Sequence, residues 1–432
     1  MYSLKSGKVR SFYFMLTSLL WPFGAFINGI RLFWNDKGYL SVILFYAFLG
    51  YSLLITGDAI RYAETYDLVR NYSLDNYFDI ILSNWSGVEH GLKANTVNKK
   101  LDFFALSLQF LLSRFFENIN VFFAVVAFLY AFVTFKVLKF IETLNIVAFN
   151  KNQKVLVLMF LCAIPFTWPI VGVRFWLAIM LFLWCALKFY KTSDYIYIFG
   201  LISCAFIHYT VIIMVVLFVI NFITCRYKLP RVFIIFMVIL VLLASQTSII
   251  FYLDSFIAGS DVDIVKNSSS SYTNMEYITA KNSRYQKTSI HAIYWKFSLK
   301  IALSFLTFLE IIGVFRKKNN FVDKNFYMRL TSIEYLLFFY VLITWNLQSI
   351  GRFAYLYFLI FFIRRVLIYS KLNHRVITKE LKILKPIVFI YVLISLRVLF
   401  YNINPFIFIS NPFVVDIFNN TESISDLVLG KT

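Results

Sequence analysis

The stretch Val155–Val173, VLVLMFLCAIPFTWPIVGV, contains no charged residue along its whole length. About 20 apolar residues are needed to cross a bilayer core of about 30 Å, so this stretch predicts a membrane segment. Val232–Leu243 has the same character, and Ile387–Leu399 is interrupted only by Arg397. About ten such blocks alternate with short polar connections. The sequence therefore predicts an all-α, polytopic transmembrane helical bundle of about 10–12 membrane segments.

The composition of the chain supports a membrane protein. Of the 432 residues, 60% are hydrophobic and only 15% are charged, and the mean hydropathy is +0.73. Soluble domains are about 45–50% apolar and about 25% charged. An ordinary water-soluble enzyme is therefore excluded.

The distribution of charge predicts the orientation. The net charge is +20, and 25 of the 42 Lys and Arg residues lie in seven short connections, at 1–10, 31–38, 139–154, 188–193, 226–231, 316–329 and 364–385. The two long loops, 57–100 and 254–296, together hold ten basic and ten acidic residues. By the positive-inside rule the short connections face the cytoplasm and both long loops face outward. We expect contacts with membrane lipids and no nucleic acid.

The division of the chain follows from the blocks. Residues 1–432 are expected to form one integral membrane domain. Residues 57–117 would be a first periplasmic loop that contains an amphipathic or re-entrant helix at 101–117, and 254–296 a second periplasmic loop. Block 11–30 is broken by Pro22, and 194–224 is too long for one crossing and is expected to divide near His208. The other expected membrane blocks are 39–56, 120–138, 154–173, 175–190, 231–253, 297–315, 330–347, 353–370 and 386–402.

Cysteine and histidine spacing predicts no metal or disulfide chemistry. The four cysteines lie in or beside apolar segments, and the four histidines show no ligand spacing. No phosphate-binding loop of an ATP-driven pump is present. We therefore expect no cofactor and no metal ion.

Cationic residues within apolar segments are the first candidates for a functional site, because charge at membrane depth is costly. Arg174 and Arg352 follow short connections that the topology places outside, where two guanidinium groups match the oxygens of a diphosphate. The alternative is a pair of interfacial arginines bound to lipid headgroups. Lys136 lies near a cytoplasmic helix end and is expected to snorkel to the surface. The complete set is Arg114, Lys136, Arg174, Lys300, Arg352 and Arg397.

Two further groups are candidates for acid–base chemistry. Asp58 and Arg61 open the first outer loop directly after a crossing, where a carboxylate is suited to deprotonate a sugar hydroxyl. The alternative is a helix cap or a local Asp–Arg pair. His208 lies between apolar residues and is either a catalytic group or a hydrogen-bonded helix-packing residue.

Three stretches resemble the EpsG-like, Wzy-type polymerases of bacterial surface polysaccharide. Gly57-Asp58, with Tyr62 and Tyr66 downstream, is similar to the family's passage into its first outer loop. Gly172–Ala178, GVRFWLA, is similar to an arginine followed by a small-residue helix start, and departs from it at Phe175, where a polar residue is common in relatives. Ala205–Val211, AFIHYTV, is similar to the family's H-[YF]-[ST] motif.

The resemblance implies a glycosyltransferase of the inner membrane whose active face is periplasmic. Its donor and acceptor would be undecaprenyl-diphosphate-linked oligosaccharides, and a chain-length regulator protein is a possible partner. Arg174 and Arg352 would hold the donor diphosphate, with Asp58 as the base that Arg61 or His208 orients. Substrate contacts would come from Tyr62, Tyr66, Arg114 and Arg397.

Three other functions remain open at this stage. An O-antigen ligase shares the donor and the fold, and sequence separates it poorly from a polymerase. A flippase for the same lipid-linked unit should show a repeated bundle and a charged central cavity, whereas the cations here cluster toward one face. A channel or structural membrane protein would need neither outward arginines nor two sizeable outer loops.

Overall fold

The structure is a computed structural model that describes residues 7–32, 38–55, 58–86, 103–144, 154, 168–224, 305–306, 309, 324–343, 350–369, 379–386, 389–390, 392–393, 400 and 405–411. Most of the predicted blocks 154–173, 231–253, 297–315 and 386–402 lies outside these ranges, as do loop 254–296, Lys300 and Arg397. For Asp58 and Arg352 the structure describes the backbone but not the side chain.

Every regular element of the described ranges is helical, which confirms the predicted all-α class. The helices are α1 (Gly7–Leu20), α2 (Pro22–Leu32), α3 (Tyr39–Tyr51), α4 (Asp58–Arg70), α5 (Leu74–Ser86), α6 (Phe104–Ser113), α7 (Asn120–Thr143), α8 (Trp168–Val171), α9 (Val173–Thr192), α10 (Ile196–Ile207), α11 (Ile212–Thr224), α12 (Lys324–Ile343) and α13 (Ile350–Tyr369). Two 3₁₀ turns occur at Tyr209–Val211 and Pro405–Phe408.

Two of the described helices, α7 and α9, are long and apolar enough to cross a membrane by length and composition. Shorter apolar helices are found at Tyr39–Tyr51, Phe104–Ser113, Ile196–Ile207 and Tyr209–Ile223. The 20-residue helices α12 and α13 have the length of α9, about 30 Å at 1.5 Å per residue. Each of them also carries three charged residues.

Both predicted interruptions of long apolar stretches are present. Trp21 separates α1 from α2, and Pro22 occupies the first position of α2, where its missing N–H costs no helical hydrogen bond. The Trp21 Nε1 donates to the carbonyl of Phe408, 2.8 Å away, so the 3₁₀ turn of the C-terminal region packs against this break. In the second case, His208 ends α10 in an extended conformation before α11 begins.

Small residues allow two of the first helices to pack closely. A Cβ atom placed on Gly50 of α3 would lie 2.5 Å from the backbone carbonyl oxygen of Phe123 on α7. Since the obstacle is backbone, a larger residue at this position would push the helices apart. Glycine at such a crossing is typical of membrane helix packing.

The predicted first outer loop contains two helices and leads into a third. α4 and α5 occupy most of 58–86, and α6 lies within the segment 101–117, for which an amphipathic or re-entrant helix is predicted. Val69, Ile80 and Leu106 form the small apolar cluster that joins these three helices. The segment is therefore a packed helical layer over the described ranges 58–86 and 103–113.

The rest of the core consists of two larger apolar clusters. The first surrounds α9 and α13 with residues of α7, α10, α11 and α12. The second surrounds α3 and α7 and includes Tyr66 of α4, Val173 and Ile407. Val173 belongs to the second cluster and Phe175 to the first, so Arg174 lies where the two clusters meet.

The assignment of Arg364 and Arg365 to a basic cytoplasmic connection is wrong. Both lie inside α13 and are completely buried. Arg364 makes a bidentate ion pair with Glu334 of α12, with N···O distances of 2.5 and 2.7 Å. A buried Arg needs such a partner because an isolated charge in an apolar interior is strongly unfavourable.

Candidate functional site

The candidate site is built around a contact between two residues that the sequence had nominated separately. The Nε of Arg174, in the first turn of α9, donates a hydrogen bond to the hydroxyl of Tyr62 on α4, 3.1 Å away. The guanidinium carbon lies 5.9 Å from the centroid of the same ring. This contact joins α4, in the segment predicted to face outward, to the start of a membrane-length helix.

Tyr62 is held from two sides. Its ring lies 5.8 Å from the ring of Phe122 and meets Phe123 edge-on at 6.4 Å, so α7 supports it. Its backbone carbonyl accepts a hydrogen bond of 2.7 Å from the side chain of Gln109 on α6. The position of its hydroxyl is thus determined by two neighbouring helices as well as by α4.

Phe175 connects Arg174 to the other candidate residues. Its ring meets His208 edge-on at 5.3 Å and Phe353 edge-on at 5.2 Å. Phe353 directly follows Arg352 at the start of α13. The two arginine positions nominated for the diphosphate are therefore each next to one member of a packed aromatic pair.

Three of the nominated charged residues lie at the beginnings of helices. Arg174 and Arg352 lie in the first turns of α9 and α13, and Asp58 is the first residue of α4. Helix N-termini carry a partial positive charge and unsatisfied N–H groups, which favour anions. Arg61 is exposed one turn after Asp58. A guanidinium in the first turn of a helix, as at Arg174, therefore combines two features that favour an anion.

His208 is buried and acts locally as a cap. Its Nδ1 lies 2.8 Å from the hydroxyl of Thr210, and the Thr210 N–H donates to the same nitrogen at 3.4 Å. The histidine thus caps the 3₁₀ turn that links α10 to α11. The H-Y-T motif has a structural explanation here, which favours the helix-packing alternative over acid–base chemistry.

Tyr66 also lies on α4 and its side chain is buried. Its hydroxyl donates to the carbonyl of Phe116 at 2.7 Å. Burial raises the pKa of Tyr66, and nearby Asp67 adds to this while Arg70 opposes it. The hydroxyl therefore stays protonated as a donor, and the contact joins α4 to the segment that follows α6.

Arg114 secures the end of α4. Its Nη2 donates to the carbonyls of Val69 and Tyr72, at 2.9 and 2.5 Å, and its Nη1 to that of Arg70 at 3.2 Å. The guanidinium carbon also lies 4.2 Å from the ring centroid of Phe110. The last carbonyls of a helix lack intrahelical partners, and a cation there also complements the helix dipole. This geometry gives Arg114 a structural role apart from any substrate contact.

Sequence reasoning missed several polar residues that the fold uses. Gln109 was not singled out, although an amide within the apolar run of α6 is the kind of signal that marks a required hydrogen bond. Glu334, Arg364, Arg365 and Glu380 were also missed. Glu334 is an acidic residue in an apolar segment, so its cost at depth was the available signal.

The comparison with known families matches one family over residues 38–413. The chain belongs to the EpsG family. Proteins of the EpsG family are integral membrane proteins associated with exopolysaccharide biosynthesis. No curated protein and no solved structure matches the chain. The range shared with the EpsG family includes α3–α13 and every nominated site residue, whereas α1 and α2 precede it.

Proposed function

We propose that this protein is a bacterial surface-polysaccharide polymerase of the inner membrane. It joins undecaprenyl-diphosphate-linked oligosaccharide repeat units at the periplasmic face by transferring the growing chain as a block. The observation that carries the proposal, beyond family membership, is the Tyr62–Arg174 contact where α4 meets the start of α9. A guanidinium held at the N-terminus of an apolar helix is suited to a lipid-linked diphosphate.

The proposed reaction is a glycosyl transfer. A hydroxyl of the acceptor repeat attacks the anomeric carbon of the sugar attached to the donor diphosphate. The new C–O bond forms as the bond to the diphosphate oxygen breaks, and undecaprenyl diphosphate leaves with the electron pair. Arg174 and Arg352 stabilise the negative charge that develops on the leaving group. The carboxylate of Asp58 takes the proton of the acceptor hydroxyl, and Arg61 orients it.

The first experiment deletes the gene in its host and separates the extracted surface glycolipid on a gel. If the protein is a polymerase, we expect the core of the surface glycolipid to carry a single repeat unit, and the ladder of longer chains to be lost. Bare core without any repeat would instead indicate a ligase or a flippase. An unchanged ladder would contradict a role in assembly of this polymer.

The site is tested by complementing the deletion with variants at equal protein level. We expect Arg174→Ala to abolish chain growth, because the donor loses the charge that stabilises its leaving group. Arg70→Ala is the matched control, since Arg70 is an exposed arginine on α4 that pairs with exposed Glu117. A wild-type ladder from Arg174→Ala would remove Arg174 from the site, and a full ladder from Asp58→Asn would remove Asp58 as the base.

A further inference from the structure

Gln109, Tyr62 and Arg174 form a continuous line of contacts from α6 through α4 to α9. Gln109 is only 1% exposed and lies among mainly apolar residues of α6. A buried amide costs free energy unless it is hydrogen-bonded. Its Nε2 donates to the backbone carbonyl of Tyr62, so α6 fixes the backbone of α4 one turn after Asp58.

The next contact fixes the orientation of the Arg174 side chain. Since the Tyr62 hydroxyl accepts from Nε, the plane of the guanidinium can no longer rotate freely about its last side-chain bonds. An Nε bond to protein also determines which way the edge formed by Nη1 and Nη2 is directed. That edge provides the parallel donors of an end-on bidentate contact with phosphate oxygens.

We propose that Gln109 and Tyr62 are positioning residues that orient the Arg174 guanidinium toward the donor diphosphate, an inference that rests on the proposed function. Neither residue needs to touch the diphosphate. A group held in place before reaction stabilises the transition state without reorganisation, whereas a mobile cation of the same charge does so poorly. The helix α6 thereby acts on the site through Tyr62.

The test uses the full-length protein in lipid nanodiscs, with lipid-diphosphate-linked repeat units extracted from the host as substrate. Tyr62→Phe removes the hydroxyl that accepts from Arg174, and Gln109→Met removes the donor to Tyr62 at similar volume. We expect each to lower kcat by about tenfold or more, because small misplacements of a catalytic group are costly. KM for the donor should stay within about twofold, since the charge that attracts the diphosphate is retained.

Tyr77→Phe is the matched control. The hydroxyl of Tyr77 donates to Ser107 Oγ on α6 at 2.7 Å, so this variant also removes one tyrosine hydrogen bond to the same helical layer. We expect kcat and KM to remain those of the wild type. Tyr77→Phe could instead lower kcat as much as Tyr62→Phe, with the same loss of melting temperature. In that case the effect is a general destabilisation of the helical layer, and the positioning role is overturned.

A double-mutant cycle separates positioning from independent contributions. Lysine at 174 keeps the charge but has no planar fork to orient, so Tyr62→Phe should cause no further loss of kcat in the Arg174→Lys background. Additive losses would overturn the inference. If Arg174→Ala abolishes chain growth but Tyr62→Phe and Gln109→Met behave as wild type, the inference fails alone. If Arg174→Ala has no effect, the proposed role of Arg174 fails as well.

Discussion

Arg174 lies at the junction of two parts of the apolar core. Its neighbours in sequence, Val173 and Phe175, belong to two different apolar clusters, so the residue between them is held at their junction. The side chain is only partly buried and its Nε is hydrogen-bonded to Tyr62. The Tyr62 contact and the packing of both neighbouring residues therefore restrict the orientation of this guanidinium.

His208 allows its two possible roles to be separated by substitution. Asparagine is a strong capping residue, so His208→Asn should keep the cap on the 3₁₀ turn. We expect this variant to retain protein level and polysaccharide chain length, whereas His208→Leu loses the cap and lowers both. The measurement is the glycolipid ladder together with an immunoblot. Loss of the ladder in His208→Asn at normal protein level would show that the imidazole itself is required.

At the scale of elements, the segment 58–117 is organised around α4 in its described part. Gln109 of α6 supports its middle and Arg114, just after α6, satisfies its last carbonyls. Tyr66 adds a third contact through the carbonyl of Phe116. These contacts place the helix that carries Asp58, Arg61 and Tyr62 at a defined position beside α9.

Arg114→Gln should destabilise this helical layer more than the substitution Arg70→Ala. Hydrogen bonds from a charged donor contribute about 1.5–3 kcal/mol. Arg114 is exposed but donates to three carbonyls, and its bond to the carbonyl of Val69 is partly buried. Arg70→Ala removes an exposed ion pair, for which about 0–1 kcal/mol is typical. Thermal unfolding in detergent compares the two. Equal melting temperatures for both variants would contradict the capping role.

At the scale of the whole molecule, α12 and α13 are joined by the buried Glu334–Arg364 ion pair. The Tyr327 hydroxyl accepts a further bond of 3.1 Å from Arg364 Nη1. Breaking such a pair leaves one buried charge without its partner, whereas replacing both members by apolar residues removes the cost. The pair therefore makes the association of these two helices dependent on both charges.

Glu334→Leu should destabilise the protein by about 3–5 kcal/mol, and the double variant Glu334→Leu/Arg364→Leu should recover most of that loss. The control is Glu142→Gln, which breaks a partly exposed pair with Lys139 one turn away on α7. That variant should change stability by about 0.5 kcal/mol or less. Melting temperature in detergent is the measurement, and a single variant as stable as the wild type would contradict the prediction.

The orientation of the bundle stays a prediction of the charge distribution and can be tested directly. Ser73 lies between α4 and α5, in the segment predicted outside, and Thr192 lies at the basic end of α9. In a cysteine-free background, Ser73→Cys should react with an impermeant thiol reagent on spheroplasts and Thr192→Cys only after lysis. Both positions are exposed. The reverse pattern would invert the topology and place the proposed site on the cytoplasmic side.

The sequence by itself determined the helical class, the breaks at Trp21 and His208 and the main candidate cations. These features are local. Apolar blocks, prolines and charged residues can each be interpreted from a window of about 20 residues, because helix formation and the cost of burying a charge depend on near neighbours. Family membership follows from the same linear information.

Only the tertiary structure decided which of these residues meet. Tyr62 and Arg174 are 112 positions apart, and nothing in the local pattern of either segment specifies their contact. The tertiary structure also showed that Arg364 is buried and paired with Glu334, because only the packing of α12 on α13 brings the acidic partner beside it. The role of Gln109 is likewise visible only from its hydrogen bond to the backbone carbonyl of Tyr62. Long-range pairs of this kind depend on how the helices pack, which hydropathy and motif spacing do not encode.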